Sequence, residues 1–409
     1  MLSDLIVIDM TRALAGPHAG MMLADLGARV IKFEPPQGDD TRGWGPPFVG
    51  SEGDPVSTYF LSCNRNKESV VGDLKTDAGR ELFEHLVCRA DVLLENFRTG
   101  VLDRLGFSVE RLHELNPRLV ITSITGFGHD GPEGHRPGYD QILQGEAGLM
   151  SITGDEHGEP TKAGVPIADL LAGLNATVGT LGALYERVNT NRGKVVRVSL
   201  LSSIVGVHAF QGTRWTVAGE EPGRIGNHHP SISPYGLFRA ADSLVQVAVG
   251  SQSQWRNFAE FIGVDPDSPD FADNPARVGN RELLTEAVNL AFSRMSADAV
   301  LAEMDRIGVP AGRVRSLSEV YDWEQVHSQG LVIDVQHPTL GPISLPGPAI
   351  RFDGHDGAGA RGQHIAPPAL GAHTEEVWRW LKGEDDRSCA AARTEARRPE
   401  SAGRLTDAP

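Results

Sequence analysis

The first two hundred residues switch repeatedly between two hydrophobic periods, and this restricts the fold more than any other feature. "LIVID" (5–9), "ARVIKFE" (28–34), "ESVVGDL" (68–74), "DVLLEN" (91–96) and "LVITSITGFG" (119–128) read as short strands. Between them lie helical segments, one around Ala19–Leu26 and another at "DAGRELFEHLVCRA" (77–90). "GKVVRVSLL" (193–201) adds a further strand. Strands that alternate with amphipathic helices fold as a largely parallel sheet, so the expected class is α/β.

At 409 residues the chain is too long for one ordinary core, and two domains are expected. The texture changes at "GEEPGRIGNHH" (219–229), which is rich in Gly, Pro and polar residues. Beyond it come strands "PYGLFRA" and "LVQVAVG" and helices at about 253–262, 281–294 and 297–307. A β segment punctuated by Pro and Gly follows Gly330, and "HTEEVWRWL" (373–381) reads as a closing helix. The expected division is a large domain at 1–218, a smaller α+β domain at 219–329 and a C-terminal segment at 330–383. Residues 384–409 lack a sustained apolar face and read as a disordered tail.

The net charge of −16 argues against a nucleic-acid surface. A phosphate-bearing substrate must then be met by local Lys and Arg. Cys63, Cys88 and Cys389 have neither metal-ligand nor disulfide-framework spacing, which suits a reducing cytosol. The start "MLSDLIVIDMTR" has no basic leader region, and no run of 18 uncharged apolar residues occurs. A cytoplasmic location without a membrane partner is expected.

"AGPHAG" (15–20) sits between a strand and a helix, where a dinucleotide glycine loop would sit, and Glu34 ends the next strand. Pro17 replaces the glycine that lets backbone approach a pyrophosphate, so a tight strand–helix turn is the better reading. "CNRNKESVVGDLKT" (63–76) and "ENFRTGVLDRLGF" (95–107) supply Arg65, Lys67, Lys75, Arg98 and Arg104, with Asn96 at a strand's carboxyl end. These cations are either solvated or gathered for a phosphate-rich ligand. The histidines show no metal spacing, and there is no P-loop or nucleophile elbow.

"GVPIADLLAG" (164–173) opens an apolar helix with an acid, Asp169. Asp is a favoured N-cap. The same helix end favours negative charge and would keep the carboxylate ionised where water is excluded, as a nucleophile must be. On these residues alone both readings stand.

The chain resembles the class III CoA-transferases, the family of formyl-CoA transferase, the carnitine CoA-transferases and the α-methylacyl-CoA racemases. The marks are "LAGPHAGMMLADLGARVIKFEPPQGDDTRGW", "NRNKESVVGDLKT", "ENFRTGVLDRLGF", "RPGYDQILQGEAGLMSITG", the "ADL" at 168–170, "GNHHPSISPYGLF" and "LGAHTEEV". The resemblance implies a Rossmann-like large domain, to which the C-terminal segment returns, and an interlocked homodimer of ring-shaped subunits. It places the catalytic aspartate on Asp169. It places CoA contacts on Ala15, on Leu74 and Lys75, on Asn96, Phe97 and Arg98, on Arg104, and on Tyr139 and Asp140.

The implied activity moves CoA from an acyl-CoA donor to a carboxylic acid through an acyl-aspartyl anhydride and an aspartyl-CoA thioester. Coenzyme A enters as substrate, with no permanently bound cofactor and no metal. The helix end is expected both to be capped by Asp169 and to keep it charged. Leu14 and "HHPSISP" stand where formyl-CoA transferases carry Gln and a glycine run, which argues against formyl and oxalyl substrates. A racemase-type isomerase is one alternative, but Tyr139 stands where racemases carry a basic His. A non-catalytic CoA-binding protein is the other. Small dicarboxylic acids are the expected acceptors, with Arg42, Arg224, His228 or His229 meeting the second carboxylate.

Overall fold

The computed structural model describes residues 1–354 and 358–383. The expected tail at 384–409 lies outside the described residues. The chain divides into two compact units. One comprises Met1–Ala147, Gly164–Ala209 and the described residues from Glu324 onward; the other comprises Gly148–Ala163 and Phe210–Trp323.

The first unit is built on a parallel sheet. Its strands are β1 (Ile6–Asp9), β2 (Arg29–Glu34), β5 (Lys67–Val71), β6 (Val92–Glu95), β7 (Val120–Thr125) and β8 (Val195–Ser199), and an exposed hairpin, β3 (Phe48–Ser51) and β4 (Asp54–Ser57), interrupts the series. The spatial order is β5-β2-β1-β6-β7-β8, with every pairing parallel. Strand periodicity decides what each face meets. Ile8, Ile31, Val70, Leu93 and Ile121 join one buried cluster with Leu82, Phe83 and Leu86 of the helix Asp77–Arg89 and with Val377 and Leu381 of the closing helix. The helices Ala15–Asp25 and Ile167–Thr190 pack against each other and carry the buried small residues Ala19, Ala24, Ala172 and Ala176. The first of them starts at Ala15, earlier than the expected Ala19, because Pro17 is tolerated in a first turn.

Gly173 lets these two helices approach. A Cβ there would stand 2.7 Å from the Ala15 carbonyl oxygen and 2.9 Å from His18 Nδ1. Ile167–Thr190 is the one helix among the described residues long and apolar enough to cross a membrane. It also contacts β7 and β8. The chain beyond Glu324 forms the hairpin β12 (Val332–His337) and β13 (Gly341–Pro346) and then runs beside β5. Asn66 N donates to Ile365 O (2.9 Å), His373 N donates to Ser69 O (2.9 Å), and Val71 N donates to Thr374 Oγ1 (3.0 Å). An edge strand that would otherwise offer free backbone groups is thereby covered.

The second unit holds the antiparallel sheet β11-β10-β9, from β9 (Tyr235–Arg239), β10 (Leu244–Ala248) and β11 (Ala311–Arg313). Helices Gln252–Ile262, Arg281–Phe292 and Ala297–Arg306 bury Trp255, Phe258, Val288, Phe292, Val300 and Met304 with Phe238, Val245 and Val247 of this sheet. Gly148–Ala163 belongs here because Gly226 N donates to Gly154 O (2.9 Å) and Arg224 donates to the Asp155 and Gly158 carbonyls.

Candidate active site

The strand order reverses between β1 and β6, and ligands of open α/β sheets bind outside the carboxyl ends of the strands at such a point. A cleft of about 420 Å³ opens there. Its walls include Arg12–Ala15 after β1, Asn96–Thr99 after β6, Ile124–Gly126 at the end of β7, Pro137–Tyr139, and Asp169. A smaller hollow of about 190 Å³ adjoins it, lined by Phe33–Gln37 at and beyond the end of β2 and by Gly72–Lys75 after β5. Arg12 and Phe97 line both. Gly126 and Gly138 allow the far wall to close up, since a Cβ on Gly126 would lie 2.8 Å from the Gly138 Cα.

Most of the acids and bases beneath this edge are matched. Lys67 Nζ donates to Asp9 Oδ2 (2.8 Å), Asn64 Oδ1 (2.9 Å) and the Pro17 carbonyl (2.8 Å), with both partners of the pair buried. Lys32 pairs with Asp39 (2.8 Å), and Arg65 grips Asp25 through two nitrogens. Arg42 meets Glu34 at 2.8 Å through both Nε and Nη2. Burial works to raise the pKa of Asp9, Asp39 and Glu34, but the adjacent cations and hydrogen bonds outweigh it and hold all three carboxyls below their ordinary range. The expected basic cluster is corrected accordingly: Arg65 and Lys67 are interior ion-pair partners, and Arg42, committed to Glu34 and the Pro368 carbonyl, is not free for a substrate carboxylate.

Lys75, Arg98 and Arg104 differ. All three are exposed, and none has an acidic partner among the described residues. Lys75 lies in the smaller hollow beside Leu74, Arg98 lies on the cleft wall, and Arg104 stands at the end of the short helix Val101–Arg104. Asn96 faces the same region but spends its side chain on the protein. Its Oδ1 accepts from Arg12 N (2.9 Å) and its Nδ2 donates to Arg12 O (2.8 Å), which ties the turns after β1 and β6 together. Ala15 begins its helix on the cleft wall, and Leu14 provides no side-chain cap, so the first amides of that helix have no intrahelical partner. Tyr139 is 68% exposed on the opposite wall.

Asp169 is the second surprise. The N-cap position of its helix is Pro166, and Asp169 lies in the first turn without serving as the cap. Asp140 supplies the cap from the helix Asp140–Glu146: its Oδ1 accepts from Ala168 N (2.8 Å) and Asp169 N (3.4 Å), while Oδ2 accepts from Gln144 Nε2 (2.7 Å). No hydrogen bond reaches the Asp169 carboxylate among the described residues. The expectation that Asp169 caps its helix is therefore corrected: Asp140 does so. Burial first, and the charge of Asp140 second, push Asp169 up to about 7.

Arg12, Trp44 and Asp40 also line the cleft and escaped the sequence reading. Arg12 lies over the Phe97 ring (5.8 Å) with Asp40 at 3.9 Å, and Trp44 meets Tyr59 edge-on at 5.1 Å. The rule that singled out Asn96, a polar residue just past the carboxyl end of a strand, points equally to Arg12 after β1.

The model of CoA-transferase family III matches residues 2–374. The chain is 37% identical to the succinyl-CoA:glutarate CoA-transferase of Homo sapiens, over 93% of this chain and 86% of the relative. It is 41% identical to the succinate–glutarate CoA-transferase of Agrobacterium fabrum, over 82% and 85%. The crystal structure of a CAIB/BAIF family protein from Brucella suis superposes with a TM-score of 0.83 at 39% identity, covering 93% of this chain and 99% of that one. The fold, the cleft at the strand-order reversal and these likenesses agree, and the chain belongs to CoA-transferase family III, enzymes that move CoA between acyl-CoA thioesters and carboxylic acids.

Proposed function

We propose that Asp169 is the nucleophile of this transfer. One observation carries the reading: at a cleft where Asp9, Asp39 and Glu34 nearby are ion-paired, the Asp169 carboxylate is mostly buried and accepts no hydrogen bond among the described residues. In the first step a carboxylate oxygen of Asp169 attacks the donor thioester carbonyl, the C–S bond breaks, and CoA leaves as thiolate. The thiolate then attacks the aspartyl carbonyl, giving aspartyl-CoA thioester and the donor acid. The acceptor carboxylate then attacks the aspartyl carbonyl of that thioester, the C–S bond breaks, and a new anhydride forms with CoA freed as thiolate. Thiolate attack on the acceptor's carbonyl yields the new acyl-CoA and restores Asp169. Each intermediate keeps the thioester's energy, and each would be lost to water, so a packed, small-residue helix behind the acid serves the chemistry.

CoA is held in this reading by Lys75, Arg98 and Arg104 through its phosphates, with Leu74, Phe97, Ala15, Asn96 and Tyr139 shaping its path. The free amides at the Ala15 helix start suit the oxyanion that forms on the attacked carbonyl. Short dicarboxylic acids are the proposed acid substrates, supported by the named activities of the human and Agrobacterium relatives.

The functional assembly is a homodimer. Its support is an apolar stripe on the Asp169 helix, where Leu174, Val178, Tyr185 and Val188 are 41, 68, 77 and 79% exposed at three-, four- and seven-residue steps.

Trapping tests the nucleophile. Succinyl-CoA without acceptor, followed by hydroxylamine, should leave a hydroxamate on the peptide containing "AGVPIADLLAG". The Asp169→Asn protein should stay unlabelled. Turnover with an unmodified Asp169 would replace this route with direct attack of acceptor on donor.

A further inference from the structure

We propose that Asp140 is a positioning residue for Asp169, capping the helix that carries it and standing as a second negative charge beside the reacting carboxylate. The inference rests on the reading of Asp169 as nucleophile, and it gives Asp140 a different task from the CoA contact that the family resemblance implies.

The geometry carries it. Asp140 uses both carboxylate oxygens within the protein: Oδ1 on the amides of Ala168 and Asp169, Oδ2 on Gln144. A carboxylate that bridges the second and third amides of a helix fixes the direction in which the third residue's side chain leaves the backbone. That third residue is Asp169. The helix beginning at Pro166 has no side-chain cap of its own, so Asp140 from a separate helix serves instead.

The charge has a consequence as well. A helix start attracts negative charge, and Asp140 occupies that place before Asp169 can use it. Burial and then Asp140 raise the proton affinity of Asp169. The other titratable groups around Asp169 do not cancel this. Tyr59 faces it from the helix Thr58–Cys63, and the phenol there is itself pushed up to about 12, by burial first and Asp169 second. His18, from the Ala15 helix, is pushed down to about 4 and is neutral. Glu146, on Asp140's own helix, is bound to Arg136 at 2.8 Å. Arg12, Asp40, Arg98 and His135 lie on the cleft wall, and the helix Leu200–Gly206 has no titratable side chain. A more basic carboxylate is a stronger nucleophile once ionised, so Asp140 trades ionised fraction near neutrality for reactivity.

Three proteins test this: wild type, Asp140→Asn and Asp140→Ala, each as the full chain. Asn keeps an oxygen for the cap and removes the charge. The Asp169 carboxyl is followed by ¹³C NMR in protein labelled at the aspartate side-chain carbon, assigned by its disappearance in Asp169→Asn. In Asp140→Asn its titration should move to lower pH. With succinyl-CoA and glutarate, the ratio of kcat at pH 8 to that at pH 6 should fall below the roughly tenfold of the wild type, with KM for succinyl-CoA unchanged. Asp140→Ala should lose kcat at every pH, because the cap goes with the charge. An Asp169 titration that does not move in Asp140→Asn overturns the proposal. So does a raised KM for succinyl-CoA with an unmoved acid limb, which would make Asp140 a CoA contact. Failure of hydroxylamine to label wild-type Asp169 would instead overturn the nucleophile reading, and the NMR titration would still decide on the coupling between the two acids.

Discussion

Two sets of acids lie within reach of one sheet edge, and they differ in whether the fold has answered them. Asp9, Asp25, Asp39 and Glu34 each face a Lys or Arg at hydrogen-bonding distance. Asp169 faces a cleft, with no donor to its carboxylate among the described residues and another acid behind its backbone. Desolvation acts on both sets. At Asp9, Asp39 and Glu34 adjacent cations and hydrogen bonds overturn it and hold the carboxyls below their ordinary range; at Asp169 no cation or donor among the described residues opposes it. The cations divide the same way, into the interior Lys32, Lys67 and Arg65 and the exposed Lys75, Arg98 and Arg104. The lesson is that residue type says little about role here. A satisfied charge holds the structure, and an unsatisfied one at a cleft is available for chemistry.

The comparison predicts its largest effect at Asp169. Asp169→Ala should reduce CoA transfer roughly a thousandfold or more while the protein folds and binds CoA. Retention of a tenth of the wild-type rate would merge Asp169 with the structural set. Next comes Lys67→Met, which strands Asp9 in the interior and should cost about 3–5 kcal/mol in urea unfolding. The double variant Asp9→Asn, Lys67→Met should recover part of that loss; an undiminished cost in the double variant would mean the site matters for packing rather than charge.

Smaller is the effect of Arg98→Ala, about ten- to a hundredfold in CoA affinity by calorimetry with unfolding unchanged, because the side chain is exposed and has no acidic partner among the described residues. Equal affinity would remove Arg98 from the phosphate path. Smallest is a gain. The folded pKa of Asp169 lies above its unfolded value, so between about 4 and 7 the folded state binds the extra proton and loses stability as pH rises. Asp169→Asn should therefore melt higher than wild type at pH 8, with the difference shrinking as pH falls toward 4. A constant difference across that range would show that the carboxylate's charge is not what costs stability.

The exposed apolar stripe sharpens the contrast from another side. Val178→Asp should shift the mass seen by light scattering toward the monomer if Leu174, Val178, Tyr185 and Val188 meet a second copy. An unaltered mass would free that face for another explanation.

The alternation of "LIVID", "ARVIKFE", "DVLLEN" and "LVITSITGFG" with amphipathic helices determined the α/β class by itself, since each element's hydrophobic period is local and survives without knowledge of partners. Asn96 was visible for the same reason, as a polar residue past the end of a strand. Asp169 stood out as an acid in an apolar, small-residue helix. Pairing was not visible. Lys67 and Lys75 lie eight residues apart in one basic stretch, yet the first is sealed against Asp9 from β1 and the second is exposed in the hollow after β5. Asp140 and Asp169 lie 29 residues apart, and only the packing of one helix against the start of another made the former the cap and left the latter uncovered. Local period is written into consecutive residues, whereas the state of a charge depends on what the fold brings within a few ångströms of it, and for these acids and bases that was decided by tertiary structure alone.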